Sequence, residues 1–373
     1  MTGGASPASR LVGPNPTGAL GRVSLAVRNA LAPLRHEPPT TICVGFSGGA
    51  DSLALTAAAV DICSRWGIGV EAVTVDHGLR DGSSEEALRV KRLAESLGAV
   101  GRVVRVDVSG GPGGDGPEAG ARNARLDALR TRARATASGP GSAPVLLGHT
   151  MDDQAETVLL RLARGSGAGS LRAMNADSTD EAGVRWIRPL LSVRRADTRG
   201  ACRQLGLDWI EDPTNDPDGP WRAADGSALR RAAVRAYALP ARADALGVDP
   251  VPALARTAQL AAADDAALDQ WADSLWPQVE LNGGCACAPA PASCARISAS
   301  ALVGVPQAVA SRLVHRMALA VGARAGDLSA EHLSRVLALA RDWHGQGPVD
   351  LPGARALREG RAGRAMIAIS PIR

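Results

Sequence analysis

The stretch Thr41-Ile-Cys-Val-Gly-Phe-Ser47-Gly-Gly-Ala-Asp-Ser52 decides the fold. Its first half is an apolar run of the kind that forms a buried strand. The two glycines permit a tight turn that directs backbone N–H groups outward, and a helix is predicted from about Leu53 to Arg65. A strand, a glycine turn and a helix N-terminus together form a cradle for an anion. Neither Gly-Lys-Ser nor Gly-Lys-Thr follows, so the loop is not a Walker A loop.

Beyond this stretch, strands and helices alternate. Further strands are predicted at 70–75, 103–108, 145–148, 186–190 and 207–210. This alternation predicts an α/β fold with a doubly wound, Rossmann-like parallel sheet. Ligands of such sheets bind at the carboxyl ends of the strands. Three polar clusters follow predicted strands, and we expect Ser47–Ser52, Asp76-His77 and His149–Asp153 to converge there.

Composition divides the 373 residues into four parts. Residues 1–22 are rich in Gly, Pro and Ser and are expected to be a disordered arm rather than a signal peptide. Residues 23–215 hold the alternating pattern of a nucleotide-binding catalytic domain. Residues 216–228 are predicted to be a linker, and residues 229–373 a second, mainly helical domain that binds the substrate.

Composition and charge also restrict the class of protein. Hydrophobic residues make up 45% and charged residues 21%, which excludes a disordered chain, and no apolar run is long enough to span a membrane. The net charge is +4, yet Thr257–Ala295 carries five carboxylates and no Lys or Arg, so the remainder has nine excess cations. This segregation favours a polyanionic partner. Cysteines at irregular spacing and the lack of an export signal predict a cytoplasmic protein.

Two carboxylates and one histidine follow the fourth strand. Asp153 and Glu156 are three residues apart in the first turn of a predicted helix, so their carboxylates share one face. Such a pair suits an ammonium group or Mg²⁺, or it simply complements the helix dipole. His149 is either structural or a ligand contact at the same edge.

Five strings in this order resemble a known family. They are Val75-Asp-His-Gly-Leu-Arg80, Gly148-His-Thr-Met-Asp-Asp-Gln-Ala-Glu-Thr157, Arg161-Leu-Ala-Arg-Gly-Ser-Gly167, Arg188-Pro-Leu-Leu191 and Trp209-Ile-Glu-Asp-Pro-Thr-Asn215. With the glycine loop, they are similar to the tRNA(Ile)-lysidine synthetases, which are pyrophosphate-loop (N-type ATP pyrophosphatase) enzymes. The resemblance is strongest from Ile42 to Arg235.

The resemblance implies a carbon–nitrogen ligase that uses ATP and Mg²⁺. Its substrates would be free lysine and the wobble cytidine of tRNA(Ile) with a CAU anticodon, and its products lysidine, AMP and diphosphate. The implied ATP contacts are Ser47, Gly48, Gly49, Ala50, Asp51, Ser52, Val75, His77 and His149. Asp51, Arg122, Asp153 and Glu156 are the implied catalytic residues, with Arg125 competing for the role of Arg122. Asp51 and Asp153 are the implied Mg²⁺ ligands.

Two arginine clusters are candidates for contact with tRNA. Arg195, Arg199 and Arg203 recur every four residues, which predicts a stripe along one helix face. Arg230, Arg231 and Arg235 form the second cluster, in which the family usually has Arg-Asn (or Ser)-x-Ile-Arg and this chain has Arg231-Ala-Ala-Val-Arg235. A solvated helix face is the plain alternative, but two clusters beside an acidic segment favour RNA phosphates.

Three other interpretations stay open at this point. A tRNA thiolase would share the fold, but no cysteine lies between Cys63 and Cys202 to supply sulfur or cluster chemistry. A nucleotide-binding module without turnover is the second. Cys285, Cys287 and Cys294 are either three zinc ligands or part of a Pro/Ala-rich linker, which the lack of a nearby histidine favours. A homodimer is neither required nor excluded.

Overall fold

The computed structural model describes residues 6–78, 82–106, 116–137, 141–164, 168–212, 216–219, 222, 226–282, 293–360 and 363–372. The chain forms two compact units, Met1–Ala262 and Ala263–Arg373. Parts of the strings singled out above lie outside the described residues, namely 79–80, 165–167, 213–215, Cys285 and Cys287. No helix in the described part of the chain is both long and apolar enough to cross a membrane.

The first unit is built on a six-stranded sheet. Its strands are β1 (Thr41–Gly45), β2 (Gly69–Asp76), β3 (Val100–Arg105), β4 (Val145–Leu146), β5 (Asp177–Thr179) and β6 (Arg185–Ile187). The order is β3-β2-β1-β4-β6-β5, all parallel except β5, which pairs antiparallel with β6. The doubly wound parallel sheet is therefore confirmed. The order reverses between β1 and β4, which is where such sheets bind their ligands.

The helices of this part of the chain are α1 (Pro7–Val12), α2 (Gly18–Leu31), α3 (Ala50–Arg65), α4 (Ser83–Ser96), α5 (Gly116–Thr136), α6 (Met151–Leu162), α7 (Ala168–Leu171), α8 (Arg195–Leu205), α9 (Arg230–Ala233), α10 (Leu239–Leu246) and α11 (Pro250–Leu275), the last of which continues into the second unit. Helices α3, α4 and α5 pack against the strands of the sheet. Helix α3 is buried along nearly its whole length, because its many alanines let neighbours approach closely. That burial fixes the glycine turn at its N-terminus.

The prediction of a disordered arm over residues 1–22 is wrong for its described part. Residues 7–12 and 18–31 are helical, and Val12 and Leu20 are buried. Apolar residues spaced by three or four positions in α2 pack against α3 and α8, and this packing outweighs the Gly/Pro-rich composition.

Two further expectations differ from the structure. Residues 229–262 lie in the first unit rather than the second. The segment Leu207–Ile210 is a loop, not a strand. Its backbone bonds to the glycine turn instead of a sheet partner, since Ile210 N donates to the carbonyl of Gly48 at 3.0 Å.

The second unit contains a separate antiparallel sheet in addition to its helices. Its strands are β7 (Glu280–Asn282), β8 (Cys294–Ser298), β9 (Val349–Leu351), β10 (Ala354–Glu359) and β11 (Met366–Pro371), in the order β7-β8-β11-β10-β9. Helices α12 (Ala299–Val303), α13 (Gln307–Ala320) and α14 (Ala330–Arg341) complete it. The core joins Leu313 and Leu339 to Ile297 and Ile367.

The acidic segment does not present a bare negative face. On α11, Asp269 accepts hydrogen bonds from Arg312 at 3.1 Å and from Arg316 at 3.3 Å. The same two arginines also pair with Asp265 and Asp273. Three of its five carboxylates are therefore compensated inside the second unit.

Candidate active site

The glycine loop closes on itself between β1 and α3. Ser47 N donates to Ser52 Oγ at 3.2 Å, and Ser52 Oγ donates to the carbonyl of Gly49 at 3.0 Å. The first N–H groups of a helix have no partner within the helix, and the dipole makes this end positive. The loop Ser47–Ser52 therefore has the backbone arrangement expected of an anion cradle.

Gly48 has the most restricted backbone in this loop. Its φ is +80°, and an added Cβ would lie 2.8 Å from Val90 Cγ2 and 3.3 Å from Ile210 Cδ1. Gly49 differs, because its φ is −72° and the nearest atom to an added Cβ is 3.6 Å away. Only the first glycine is thus required by both conformation and space.

We expect Gly48→Ala to lower the free energy of unfolding by about 1–2 kcal/mol, because alanine resists the left-handed conformation. Thermal unfolding measures this as a fall in Tm of roughly 2–4 °C per kcal/mol. Gly49→Ala is the matched control and should stay within about 0.5 kcal/mol of wild type. Equal Tm values for the two variants would contradict the assignment of strain to Gly48.

Gly148 brings the end of β4 against the start of α3. An added Cβ at Gly148 would lie 3.2 Å from backbone atoms of Asp51 and Ser52. This close approach places His149 and Thr150 beside the loop. The first and third of the predicted polar clusters are therefore neighbours.

The acid pair lies buried in the first two turns of α6, with Asp153 in the first and Glu156 in the second. Asp153 Oδ2 accepts hydrogen bonds from Thr150 N at 2.7 Å and from Thr150 Oγ1 at 2.8 Å, so it also caps the helix. Burial alone would raise the pKa of Asp153, but Arg195, His149 and Thr150 hold it below its usual value. The Glu156 side chain is fully buried. Buried carboxylates need cations facing them, and Arg195 and Arg235 supply these for the pair.

Arg195 provides most of that compensation. Its Nη2 donates to Asp153 Oδ1 at 2.7 Å, its Nη1 to Glu156 Oε1 at 3.0 Å, and its Nε lies 3.5 Å from Asp51 Oδ2. One guanidinium thus joins the glycine loop to the acid pair. Burial raises the pKa of Asp51, against the opposing effects of Thr198 and Arg195.

Arg235 compensates the same pair from a second direction. Its Nε donates to Glu156 Oε1 at 2.8 Å, and its Nη2 donates to Oε2 at 3.3 Å. It extends from a π-helical turn, Val234–Ala238, which follows α9 directly. Such turns are rare and often occur at functional sites.

The predicted arginine stripe on α8 is not one solvent-facing surface. Arg195 points inward with 16% of its side chain exposed, whereas Arg199 pairs with Glu211 at 3.2 Å and Arg203 stacks over Trp209 at 5.8 Å. These side chains line a cavity of about 700 Å³, together with Ala196, Asp212, Asp216 and Arg235. The difference arises because Arg195 is the first residue of α8, where the helix meets Asp51.

The second polar cluster lies at the end of β2. Asp76 is buried and accepts hydrogen bonds from Gly78 N at 3.0 Å and from Ser84 Oγ at 2.8 Å. It therefore ties the end of β2 to the first turn of α4. His77 follows it, with a pKa lowered first by burial and then by Arg125. Val75, the residue before Asp76 in β2, is half-buried.

A group of cations surrounds His149. Burial, reinforced by Arg125, Arg188 and Arg122, lowers the pKa of His149 to about 3, against the opposing effect of Asp153. His149 is therefore neutral at physiological pH. Arg125 is in turn affected by Arg122 and Arg231, which shows that α5, α9 and the end of β6 bring cations together.

Cysteine chemistry is disfavoured in the described part of this site. Cys202 packs beneath the glycine loop, where its thiol donates to the carbonyl of Ala50 at 3.4 Å. Burial raises the pKa of Cys202 to about 12, that of Cys63 to about 12 and that of Cys43 to about 11. Protonated thiols are poor nucleophiles and poor metal ligands.

Sequence reasoning missed three features of the site. They are the position of Arg188, the position of Thr198 and the contact of Arg235 with Glu156. All three depend on which segments the fold brings together. The Arg188-Pro-Leu-Leu191 string was the only signal for Arg188, and nothing in the sequence placed Thr198, which donates to Asp51.

Comparison of the sequence with known proteins identifies related domains and relatives. The PP-loop domain profile matches residues 23–233, and the TilS substrate binding domain profile matches residues 297–361. The chain is 45% identical over 355 residues to the tRNA(Ile)-lysidine synthase of Salinispora tropica, covering 93% of this chain and 95% of that protein. It is 45% identical over 344 residues to that of Thermobifida fusca, covering 92% and 95%.

A solved structure shares the fold at low sequence identity. The U34-tRNA thiolase NcsA from Methanococcus maripaludis, with its [4Fe-4S] cluster, superposes with a TM-score of 0.50 and 16% identity, covering 65% of this chain and 78% of that one. That likeness concerns the fold alone. By the identity to its relatives and the two matching domains, the chain belongs to the tRNA(Ile)-lysidine synthase family.

Proposed function

We propose that this protein uses ATP to join free lysine to C2 of the wobble cytidine in tRNA(Ile) with a CAU anticodon. The C2 carbonyl oxygen attacks the α-phosphorus of ATP and displaces diphosphate. The ε-amine of lysine then attacks C2, loses a proton and displaces AMP, leaving lysidine. Adenylation converts a poor leaving oxygen into a good one. Because the partner is a transfer RNA, we place the protein in the cytoplasm.

The bridge made by Arg195 is the observation that carries this proposal. It links Asp51 of the anion cradle to Asp153 and Glu156, so that one site offers both a place for phosphates and a place for a cation. A lysine ammonium would bind beside the acid pair, whose carboxylates Arg195 and Arg235 hold in place. Val75 and His77, at the end of β2, are assigned to the nucleoside, and His149, after β4 on the other side of the loop, is assigned a second contact to ATP. Arg122 is assigned to the phosphates.

The donor set fits Mg²⁺ only in part. The described residues hold no group of three side chains suited to a metal ion. Both oxygens of Asp153 are engaged, by Thr150 and by Arg195, whereas Asp51 Oδ2 has only the longer contact to Arg195. Mg²⁺ often binds one or two carboxylates together with substrate phosphates, so Asp51 is the better candidate. When bound, the ion would neutralise charge on the phosphates.

Incubation of the full chain with transcript tRNA(Ile), ATP and labelled lysine tests the function. We expect label in the RNA and one AMP released for each lysine incorporated. Asp51→Ala is the matched inactive variant, since it removes the carboxylate beside the cradle. Release of diphosphate without label would favour a different pyrophosphate-loop reaction, and absence of both would favour a binding module. ATP cleavage by Asp51→Ala at the wild-type rate would contradict the site.

A further inference from the structure

Arg188 is placed to bind an anion that the glycine loop does not reach. It follows β6 directly, and Leu147 N donates to the carbonyl of Ile187 at 2.9 Å, so Arg188 lies at the same edge as His149. Strands in a sheet are spaced by about 4.8 Å, which puts β6 roughly 10 Å from β1 and its loop. Arg188 therefore lies on one side of β1 and β2 lies on the other.

The guanidinium of Arg188 is anchored but not satisfied. Its Nη1 donates to the carbonyl of Asn175 at 2.9 Å. Its Nε is buried without a hydrogen-bond partner among the described residues, and the same holds for His149 Nδ1. His77 Nδ1, at the end of β2, is a third such atom. Buried polar nitrogens normally have partners, so three at one edge of the sheet indicate a ligand. No ion pair of Arg188 occurs in the part of the chain that the structure describes.

The surrounding charge indicates what that ligand is. Burial and then Arg122 lower the pKa of Arg188, against the opposing effect of Asp177. Burial, Arg122 and Arg231 lower the pKa of Arg125, against the opposing effect of Asp212, so cations outnumber carboxylates around both. The single carboxylate of an amino acid supplies one negative charge for these guanidinium groups. Consecutive phosphodiesters supply one charge each, and planar guanidinium forks suit their oxygens. An RNA strand therefore matches the cluster better than lysine does.

We propose that Arg188, supported by Arg125, binds a backbone phosphodiester of the RNA adjoining the target cytidine. The inference rests on the proposed function for the identity of the RNA. ATP extends from the loop at β1 toward β2 in that proposal, which leaves the β6 end for the second substrate. Arg188 then holds the cytidine against the α-phosphate from the side opposite to adenine.

The test is the binding of the anticodon stem–loop of tRNA(Ile) to the full chain, without ATP or lysine. Each linkage flanking the target cytidine is made neutral in turn as a methylphosphonate. One neutral linkage should weaken binding to wild type by about tenfold, as expected for loss of a charge-assisted hydrogen bond. Arg188→Gln should lose the same factor on natural RNA and nothing further on the neutral RNA. Its slope of log Kd against log salt should fall by about 0.7.

Arg185→Gln is the matched control. Arg185 is the first residue of β6, three positions before Arg188, and pairs with Asp177 at the surface, so its variant should bind both RNAs as wild type does. If Arg188→Gln does not fold, Arg188→Lys replaces it in the same binding experiment, because lysine keeps the positive charge but lacks the Nε donor.

Two results would overturn the inference. One is a neutral linkage that weakens Arg188→Gln as much as wild type. The other is a raised KM for ATP or for lysine with an unchanged RNA Kd. A wild-type protein that shows the linkage penalty yet incorporates no lysine would support the phosphate site and contradict the proposed function.

Discussion

Arg195→Ala is expected to lower the free energy of unfolding by about 3–5 kcal/mol, the usual cost of removing one partner from a buried ion pair. The variant leaves Asp51, Asp153 and Glu156 facing one another, with Arg235 compensating only Glu156 closely. Lysine transfer should fall below detection, because the loop and the acid pair lose their common contact. Chemical denaturation and label incorporation measure the two effects.

The matched control for this prediction is Arg199→Ala, one turn further along α8. Arg199 pairs with an exposed carboxylate, so its loss should cost no more than about 1 kcal/mol. Arg195→Lys should recover part of the stability and little of the activity, since one ammonium cannot reach three carboxylates in fork geometry. Similar stabilities for the two alanine variants would contradict the role assigned to Arg195.

Acidification from pH 7 to pH 5 is expected to lower stability by about 2 kcal/mol through His149 alone. Its pKa is about 3 in the folded protein, against 6.5 for the free side chain. Below pH 6.5 the unfolded chain binds a proton that the folded chain does not, so stability falls as pH falls and continues to fall to about pH 3. The stabilising condition is therefore neutral or alkaline pH.

Urea denaturation of wild type and His149→Asn over this pH range measures the effect. The asparagine variant should show a flatter dependence, because its side chain does not titrate. His36→Asn, at an exposed position, should follow the wild-type curve. Parallel curves for wild type and His149→Asn would exclude a buried neutral histidine.

The parts of the fold that were predictable have local causes. The apolar run, the glycine turn and the helix start lie within twelve consecutive residues, so the loop between β1 and α3 could be found without tertiary information. The location of the site at the carboxyl ends of the strands could be predicted from the alternation of strands and helices. Helix α2 was also predictable, since Leu20, Val23 and Val27 have helical spacing, but its glycine- and proline-rich surroundings obscured that signal.

The contacts between the clusters were not predictable. The spacing of Arg195, Arg199 and Arg203 indicates a shared face, yet it does not say that all three line one cavity or that the first also lies against Asp51. Arg235 reaches Glu156 from a π-helical turn, which no local pattern marks. Both contacts depend on where α8 and α9 meet α6, and that is a property of the packed unit.

The use of arginine throughout the site has a chemical consequence. An activated cytidine is an electrophile, and an unprotonated amine of the protein would intercept it before the free amino acid arrived. Guanidinium groups stay protonated and do not attack, and the only lysine of the chain, Lys91, is on α4 and pairs with Glu95 at 3.4 Å. The protein can thus surround a reactive intermediate with positive charge and remain inert toward it.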